Sequence, residues 1–204
     1  MNSSAQSSNR RRSRSALLAA LLLSSCLAAA GAVILSRRGS ARSVVVKNAD
    51  GSSIRLDVSV LGGKRLLDAA TGAEKTFAFG PANTLVVLMS AGDCPNCLRE
   101  RGVWAELSRG HDASELQVVG LLLRTSPQEA RTFAKTYQLP FPVYLDYENQ
   151  LGRATELPQL TPFKVLVNSK GEALLADGPN PTAPTQAAFG ERVNKRLSPA
   201  EATR

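Results

Sequence analysis

Two cysteines separated by two residues are the most reactive feature of the sequence, in the segment Asp93-Cys94-Pro95-Asn96-Cys97. The preceding residues 84–89 (TLVVLM) are continuously apolar, which is typical of a strand buried on both faces. Pro95 is favoured at the first helical position, so the pattern predicts Cys94 as the helix N-cap. Free backbone N–H groups and the positive end of the helix dipole favour a thiolate there. Cys97, three residues on, would lie on the same helical face and within reach of Cys94.

This arrangement predicts thiol–disulfide exchange. The Cys94 thiolate would attack a disulfide, and Cys97 would resolve the mixed disulfide and leave a Cys94–Cys97 disulfide. In the reverse direction, the same pair oxidises a dithiol. Asp93 complicates this interpretation, because its negative charge opposes thiolate formation unless the carboxylate points to solvent.

Other uses of the two cysteines are less well supported. A structural zinc site normally needs four ligands, whereas this part of the chain offers one cysteine pair and the single histidine, His111. A purely structural disulfide across four residues would constrain little of the unfolded chain. The position at a strand-to-helix junction therefore favours redox chemistry, and we predict no metal ligands and no cofactor.

Hydrophobic periodicity and turn residues predict an α/β domain. The predicted strands are residues 43–47, 54–60, 84–89, 116–123, 143–145, 163–167 and 172–176. The predicted helices are residues 95–109, 127–139, 149–156 and 184–197, while residues 66–79 fit either a strand pair or a loop. Turn signals at 48–51 and 168–171 join two of the strand pairs. Helices between the first strands require parallel pairing and the last strand pair is a hairpin, so a central mixed sheet is expected.

The N-terminal segment is apolar and is flanked by arginines. Residues 16–35 carry no charge, and at about 1.5 Å per residue they match the roughly 30 Å hydrocarbon core of a bilayer. A cleaved signal peptide has a shorter apolar region, so this length predicts one uncleaved transmembrane signal anchor. Leu23-Ser24-Ser25-Cys26 resembles a bacterial lipobox, which leaves a lipoprotein lipidated at Cys26 as the rival interpretation. The apolar run continues for nine residues beyond Cys26 and favours the anchor.

The basic excess belongs to this N-terminal segment. The net charge is +8, but seven of the 25 basic residues precede residue 43 and the first acidic residue is Asp50, so the remainder carries 18 basic against 17 acidic residues. Nucleic-acid binding needs basic residues concentrated on a folded surface, and we therefore predict no nucleic-acid partner. Positive charge on the two sides of the apolar run is nearly balanced. We place the domain outside the cytoplasm because its cysteine chemistry suits an oxidising compartment such as the periplasm.

Residues 56–197 resemble the thioredoxin-like superfamily, especially its membrane-tethered extracytoplasmic branch of TlpA-like and redoxin-type proteins. The resemblance rests on VVLMSAGDCPNCLRE, on Glu100 three residues after the second cysteine, and on LPQLTPFKVLVNSKGEAL. It implies a thioredoxin-like fold in which Glu100 assists proton transfer, Pro162 is cis, and the Thr161 backbone faces the cysteines and pairs with substrate. Catalytic residues would be Cys94, Cys97 and Glu100, and substrate-binding residues Thr161 and Pro162. A plainer interpretation of Glu100 is a solvated helix residue paired with Arg99 or Arg101.

The same resemblance implies protein thiol or disulfide substrates and a redox partner that recycles the cysteine pair, with reduction during extracytoplasmic protein maturation as the favoured role. Two alternatives remain open. A thiol peroxidase needs Thr or Ser three residues before its reactive cysteine, where this chain has Ala91. A Cu(I) carrier suits soft thiolates but usually has a wider cysteine spacing and a dedicated histidine.

These features divide the chain into a basic tail (1–15), the anchor (16–36), a linker with the first strand (37–55), the thioredoxin-like domain (56–198) and a short tail (199–204). The chain departs from the family pattern in three places. No aromatic residue precedes Cys94, residues 84–89 contain no acid, and the dipeptide between the cysteines is Pro-Asn. These departures leave the direction of electron flow open.

Overall fold

The computed structural model describes residues 42–47, 53–93 and 97–198. The predicted anchor with Cys26, the predicted turn at 48–51, and Cys94, Pro95 and Asn96 lie outside these residues. No helix in the described ranges is both long enough and apolar enough to cross a bilayer.

The described residues form a hairpin and a larger sheet flanked by helices. The strands are β1 Val44–Lys47, β2 Ser53–Leu56, β3 Arg65–Asp68, β4 Glu74–Thr76, β5 Asn83–Met89, β6 Leu116–Leu122, β7 Val143–Leu145, β8 Phe163–Asn168 and β9 Ala173–Asp177. The α-helices are α1 Arg101–Gly110, α2 Pro127–Tyr137, α3 Gln150–Ala154 and α4 Ala183–Leu197. Two 3₁₀ turns, Val58–Leu61 and Cys97–Glu100, complete the set.

Strand β5 lies at the centre of the seven-stranded sheet, whose order is β4-β3-β7-β6-β5-β8-β9. Strands β5, β6 and β7 are parallel to one another. Strand β8 runs antiparallel to β5 and to β9, and β3 runs antiparallel to β7 and to β4. The predicted α/β class with a central mixed sheet is therefore confirmed.

Alternate residues of β5 enter two separate hydrophobic cores, as its continuous apolar run predicts for a strand covered on both faces. Leu85, Val87 and Met89 pack in the core that contains Trp104 of α1, together with apolar residues of α2 and α4. The intervening residues of β5 pack in the second core, with apolar residues of the β1–β2 hairpin, the first 3₁₀ turn and α3. The sheet is thus covered by three longer helices on one face and by the N-terminal hairpin and a short helix on the other.

Two sequence assignments between residues 54 and 79 have different outcomes in the structure. The predicted strand at 54–60 is too long, because β2 ends at Leu56 and a 3₁₀ turn follows. Asp57 causes this break: its carboxylate accepts hydrogen bonds from the Ser59 N–H (2.9 Å) and hydroxyl (2.5 Å), which caps the turn. The ambiguous residues 66–79 contain the strand pair β3 and β4, rather than a loop alone.

Local capping explains where two helices begin. Ser126 forms a capping box at α2, because its hydroxyl accepts from the Glu129 N–H and its own N–H donates to the Glu129 carboxylate at 2.8 Å. The buried Asp146 carboxylate accepts from the N–H groups of Gln150 (2.8 Å) and Leu151 (2.9 Å) and so anchors α3. Both helices were predicted from the sequence, although α3 is shorter than the predicted residues 149–156.

The turn between β8 and β9 requires glycine at position 171. Gly171 has φ +76°, a conformation that side-chain-bearing residues rarely adopt. A Cβ atom there would also lie 2.9 Å from Ser59 Cβ and 3.1 Å from a Phe79 ring carbon. The turn therefore packs directly on the first 3₁₀ turn.

We expect Gly171→Ala to lower the free energy of unfolding more than Gly72→Ala, measured by urea denaturation. Gly72 is a matched control because its φ is +74° and nothing lies within 4 Å of the added Cβ. Both variants carry the backbone cost of a left-handed alanine, about 1–2 kcal/mol. Only Gly171→Ala carries the further overpacking cost of about 1–3 kcal/mol. Equal destabilisation of the two variants would contradict the close packing of the turn.

Candidate active site

The second cysteine begins a 3₁₀ turn, whereas the sequence predicted a helix from Pro95 with Cys94 as its N-cap; residues 94–96 lie outside the described part of the chain, so that helix start stays a prediction. Cys97 begins a 3₁₀ turn that ends at Glu100 and leads directly into α1, and β5 ends at Met89 shortly before this segment. Cys94 and the side chain of Cys97 lie outside the described part of the chain, so the disulfide between them stays a prediction.

The loop that leads from β5 towards Cys94 is held by its own hydrogen bonds. The Ser90 N–H donates to Asp93 Oδ2 (2.9 Å), and the Asp93 N–H donates to the Ser90 carbonyl (3.0 Å). The Ala91 N–H donates to the Thr125 hydroxyl (3.2 Å), just beyond the end of β6. These bonds fix the residue directly before Cys94 against the C-terminal ends of the parallel strands.

Asp93 also joins this loop to a distant segment. Its Oδ1 atom accepts a hydrogen bond from the Thr161 hydroxyl at 2.5 Å, across 68 positions of sequence. The carboxylate is only partly exposed, and no cation pairs with it among the described residues. The Asp93 charge therefore stays beside the cysteine segment and is satisfied by neutral donors.

The Thr161–Pro162 peptide bond is cis, which confirms the prediction from the resemblance. Pro162 is buried and directly precedes β8. Because β8 pairs antiparallel with β5, with Phe163 opposite Leu88, the start of β8 lies beside the end of β5. The sheet itself therefore brings the cis-proline segment to the segment that carries the cysteines, while the role of Thr161 and Pro162 in substrate binding stays a prediction.

Glu100 is buried, so its interpretation as a solvated helix residue paired with Arg99 or Arg101 is wrong. The side chain of Glu100 is 2% exposed, and its Oε2 atom lies 2.6 Å from Lys164 Nζ in β8. Its other oxygen, Oε1, accepts a hydrogen bond from the Asn180 backbone N–H.

Lys164 is the functional-site residue that the sequence reasoning missed. It is fully buried in the strand 163–167, which was predicted only as an apolar strand. The available signal was a lysine within an otherwise apolar strand, because a lysine is almost never fully buried unless it is paired. Its partner could not be assigned from the sequence, since Glu100 is 64 positions away.

Burial and pairing have opposite effects on the pKa values of Glu100 and Lys164. Burial raises the pKa of the Glu100 carboxyl above its ordinary 4.5, while the Lys164 ammonium and the Asn180 N–H pull that pKa back down. Burial lowers the pKa of the Lys164 ammonium, against the attraction of Glu100. The net result for Glu100 is a raised pKa, with burial as the largest cause.

His111 lies away from this site, at the C-terminal end of α1, whereas Cys97 precedes the N-terminal end. Its Nε2 atom is 2.9 Å from Asn194 Oδ1, and its Nδ1 atom is 3.5 Å from Glu115 Oε2. Within the described ranges, no group of three or more His, Cys, Asp or Glu side chains is arranged to hold a metal ion.

Comparison by sequence alone gives no relatives. No protein-family model matches the chain, and no curated protein sequence matches it significantly. The comparison therefore rests on solved structures.

Several solved structures share this architecture at low sequence identity. A secreted Mycobacterium tuberculosis disulfide oxidoreductase homologous to E. coli DsbE is 18% identical, over 68% of this chain and 98% of that chain, with a TM-score of 0.53. A Chlorobium tepidum protein described as a candidate thiol:disulfide interchange protein DsbE is also 18% identical, over 67% and 96% of the two chains, with a TM-score of 0.54. The chain has the thioredoxin-like fold. Peroxiredoxin Q of Xanthomonas campestris is 15% identical, over 69% and 95%, with a TM-score of 0.54, so the fold alone does not distinguish exchange from peroxidase chemistry.

In this thioredoxin-like fold, two bonds connect the cysteine segment to the cis-proline segment. Asp93, directly before Cys94, bonds to Thr161, directly before Pro162. Glu100, three residues after Cys97, bonds to Lys164, two residues after Pro162. The first contact is partly exposed and the second is buried. Because Asp93 precedes the cysteine pair in sequence and Glu100 follows it, the two segments are bonded both before and after the cysteines.

We expect Thr161→Val to lower the free energy of unfolding by about 1–2 kcal/mol, because Asp93 loses a charge-assisted hydrogen bond while the side-chain shape is kept. Urea denaturation followed by the fluorescence of Trp104, the single tryptophan, measures this change.

Thr132→Val is the matched control for this variant. The Thr132 hydroxyl is exposed and donates only to the Gln128 carbonyl of its own helix (3.1 Å), so its loss should change stability by less than about 0.5 kcal/mol. A Thr161→Val variant as stable as Thr132→Val would show that the contact with Asp93 contributes nothing.

Proposed function

We propose that this chain is a thiol–disulfide oxidoreductase that exchanges disulfides with protein partners through Cys94 and Cys97. One observation carries the proposal: the chain on both sides of the Cys-x-x-Cys sequence is bonded to the cis-proline segment, through Asp93 and Thr161 before it and through Glu100 and Lys164 after it. Catalysis would use Cys94, Cys97 and Glu100, with Thr161 and Pro162 in contact with substrate.

The reaction proceeds in two exchange steps. The Cys94 thiolate attacks one sulfur of a substrate disulfide, forms a mixed disulfide and releases the other substrate sulfur as a thiolate. Cys97 then transfers its proton to a base, for which Glu100 is the candidate, and attacks Cys94, which forms the Cys94–Cys97 disulfide and releases the second substrate thiolate. The substrate gains two electrons and the cysteine pair loses two. A redox partner restores the dithiol by the same steps in reverse.

Asp93 supports the reducing direction. A carboxylate next to Cys94 in sequence, with no cation paired to it among the described residues, disfavours a thiolate at that cysteine. Strong oxidants of this fold owe their potential to a stabilised reduced form. A less stable thiolate favours the disulfide form and makes the dithiol the better electron donor, as in extracytoplasmic protein maturation.

A cleft beside the loop that leads to Cys94 fits a polypeptide substrate. It encloses about 650 Å³, and its lining includes Arg124, Thr125 and Leu157. Thr125 accepts the hydrogen bond from Ala91 in that loop, so the cleft and the loop are neighbours. Leu160, directly before Thr161, is 51% exposed and offers an apolar contact.

We expect Cys94→Ser to abolish the reduction of insulin disulfides by the full-length protein, because the attacking thiolate is lost. Cys97→Ser should instead accumulate a mixed disulfide with the substrate that dithiothreitol releases. Cys26→Ser, the same chemical change at a cysteine outside the domain, is the matched control and should keep full activity.

A redox titration of the wild-type protein completes this test. A reversible two-electron transition between about −120 and −270 mV would place the pair among known exchange enzymes. If no intramolecular disulfide forms and the pair binds only Cu(I), the chain is a copper carrier. If Cys94 consumes peroxide faster than it exchanges disulfides, it is a peroxidase.

We also propose that residues 16–35 anchor the domain to a membrane on its extracytoplasmic, periplasmic side, since their uncharged length matches the bilayer core. The full chain should remain with the membrane fraction after alkaline carbonate extraction, and deletion of residues 16–35 should release it. Incorporation of radioactive palmitate into the wild type but not into Cys26→Ser would show a lipoprotein in place of a signal anchor.

A further inference from the structure

Lys164 is a fully buried charge to which the proposed reaction gives no role. It lies in the central part of the sheet, where β8 pairs it with Val87 of β5 and with Asp177 of β9. It follows Pro162 by two residues, so the same short segment holds the cis-proline and this lysine. A buried lysine is costly unless it is paired and hydrogen-bonded, which makes its partners informative.

The partners of Lys164 come from three other parts of the fold. Nζ lies 2.6 Å from Glu100 Oε2, donates to the Gly178 carbonyl, and stands 5.1 Å from the centre of the Phe189 ring in α4. The carboxylate of Glu100 is therefore the one side-chain anion in hydrogen-bond contact with Lys164 among the described residues.

The charged groups that face the Glu100–Lys164 pair are few. Asp177 of β9 acts on both members of the pair, and Arg192 of α4 acts on Lys164. Asp177 itself forms an ion pair with Arg192, whose side chain is 48% exposed. Because Arg192 balances Asp177, Lys164 is the cation that balances Glu100.

Glu100 and Cys97 belong to one short piece of backbone. They are the last and the first residue of the same 3₁₀ turn, so three positions separate them. A carboxyl can take the Cys97 proton only while it is ionised, and burial alone opposes that form. The nearby cation and the Asn180 N–H are what favour it.

We propose that Lys164 is a positioning residue for Glu100, which it holds in the ionised form so that Glu100 accepts the Cys97 proton when Cys97 resolves the mixed disulfide. This inference rests on the proposed disulfide exchange and adds the group that makes Glu100 a base.

The proposed step balances as follows. The Cys97 thiol transfers its proton to the Glu100 carboxylate, its sulfur bonds to the Cys94 sulfur, and the bond between Cys94 and the substrate sulfur breaks. The substrate sulfur leaves as a thiolate with the electron pair of that bond. Glu100 then passes the proton to solvent, and Lys164 keeps its proton throughout.

The test is a stopped-flow reaction of the reduced full-length protein with one equivalent of 5,5′-dithiobis(2-nitrobenzoate). Cys26→Ser is present throughout and serves as the wild-type background, so that Cys94 and Cys97 are the two thiols of the chain. Attack by Cys94 releases the first coloured thiolate, and resolution by Cys97 releases the second, so the two steps are read separately. In the wild type, the rate of the second release should fall on the acid side, because Glu100 becomes protonated there.

The fall of the second rate at low pH is called the acid limb. Lys164→Met should move the midpoint of this acid limb to a pH higher by one unit or more, because burial then acts on Glu100 without the opposing cation. At a pH on the limb, this is a loss of about tenfold or more in the second rate. The first rate should not change. Arg192→Met, which removes a cation bonded to Asp177 and not to Glu100, is the matched control and should leave the limb in place.

Two further variants separate positioning from a structural effect. Glu100→Gln should slow the second release and remove the acid limb that depends on Glu100. The double variant Glu100→Gln/Lys164→Met should have the same second rate as Glu100→Gln, because Lys164 acts through Glu100. If Lys164→Met does not fold, judged by its near-ultraviolet circular dichroism, Lys164→Gln keeps an N–H donor without the charge and takes its place.

The outcomes distinguish this inference from the proposed function. An unmoved acid limb in a folded Lys164 variant, or a double variant slower than Glu100→Gln, would overturn the role of Lys164 while disulfide exchange stands. A wild-type protein that releases a single coloured thiolate, as Cys97→Ser should, would overturn the exchange reaction itself.

Discussion

The antiparallel pairing of β5 with β8 is the constraint on which the candidate site depends. It sets the beginning of β8 beside the end of β5, with Phe163 opposite Leu88, so the cis-proline segment meets the chain that continues to Cys94. On its other side, β5 pairs in parallel with β6, whose C-terminal end leads to Thr125 and its hydrogen bond to the Ala91 N–H. A one-residue shift in either pairing would exchange the two faces of the strand between the two cores. The packing of alternate β5 residues into the two cores therefore also fixes the position of the site.

The buried Glu100–Lys164 pair is explained poorly by its contribution to the stability of the fold. Removing two charges from water costs several kcal/mol per ion, and such a pair is often no more stabilising than well-packed apolar residues. Its stabilising effect is therefore a weak explanation for its presence. Its direct effect is on proton affinity, because each charge determines how readily the other gains or loses a proton. A pair of this kind beside a cysteine that must be deprotonated has a chemical use that an apolar pair would lack.

The sequence predicted the parts of the fold that depend on local patterns. The continuous apolar runs became β5 and β6, the turn at 168–171 became a hairpin, and α2 begins at Pro127 as predicted. The cis peptide at Pro162 came from a resemblance and not from a local pattern. The strand predicted at 54–60 failed because a side-chain cap at Asp57 competed with extension. The contacts between Asp93 and Thr161 and between Glu100 and Lys164 were out of reach, since they join residues 68 and 64 positions apart and depend on strand register.

The two carboxylates that flank the cysteines are satisfied in different ways, and the difference affects the chemistry. Glu100 is paired with a buried cation, so its charge is compensated where the dielectric constant is low. Asp93 is bonded to a hydroxyl and a backbone N–H, which satisfy its oxygens but do not cancel its charge. Uncompensated negative charge therefore directly precedes Cys94 in sequence, where in the proposed exchange it would oppose thiolate formation. Compensated charge follows Cys97, where the proposed exchange needs a base. In the proposed exchange, the charge of Asp93 would favour the disulfide form of the pair, because it would destabilise the attacking thiolate. A base at Glu100 would accelerate the resolving step and its reverse alike, so it would not shift that equilibrium. Asp93 is therefore the residue that favours the proposed role as a donor of electrons over a role as an acceptor.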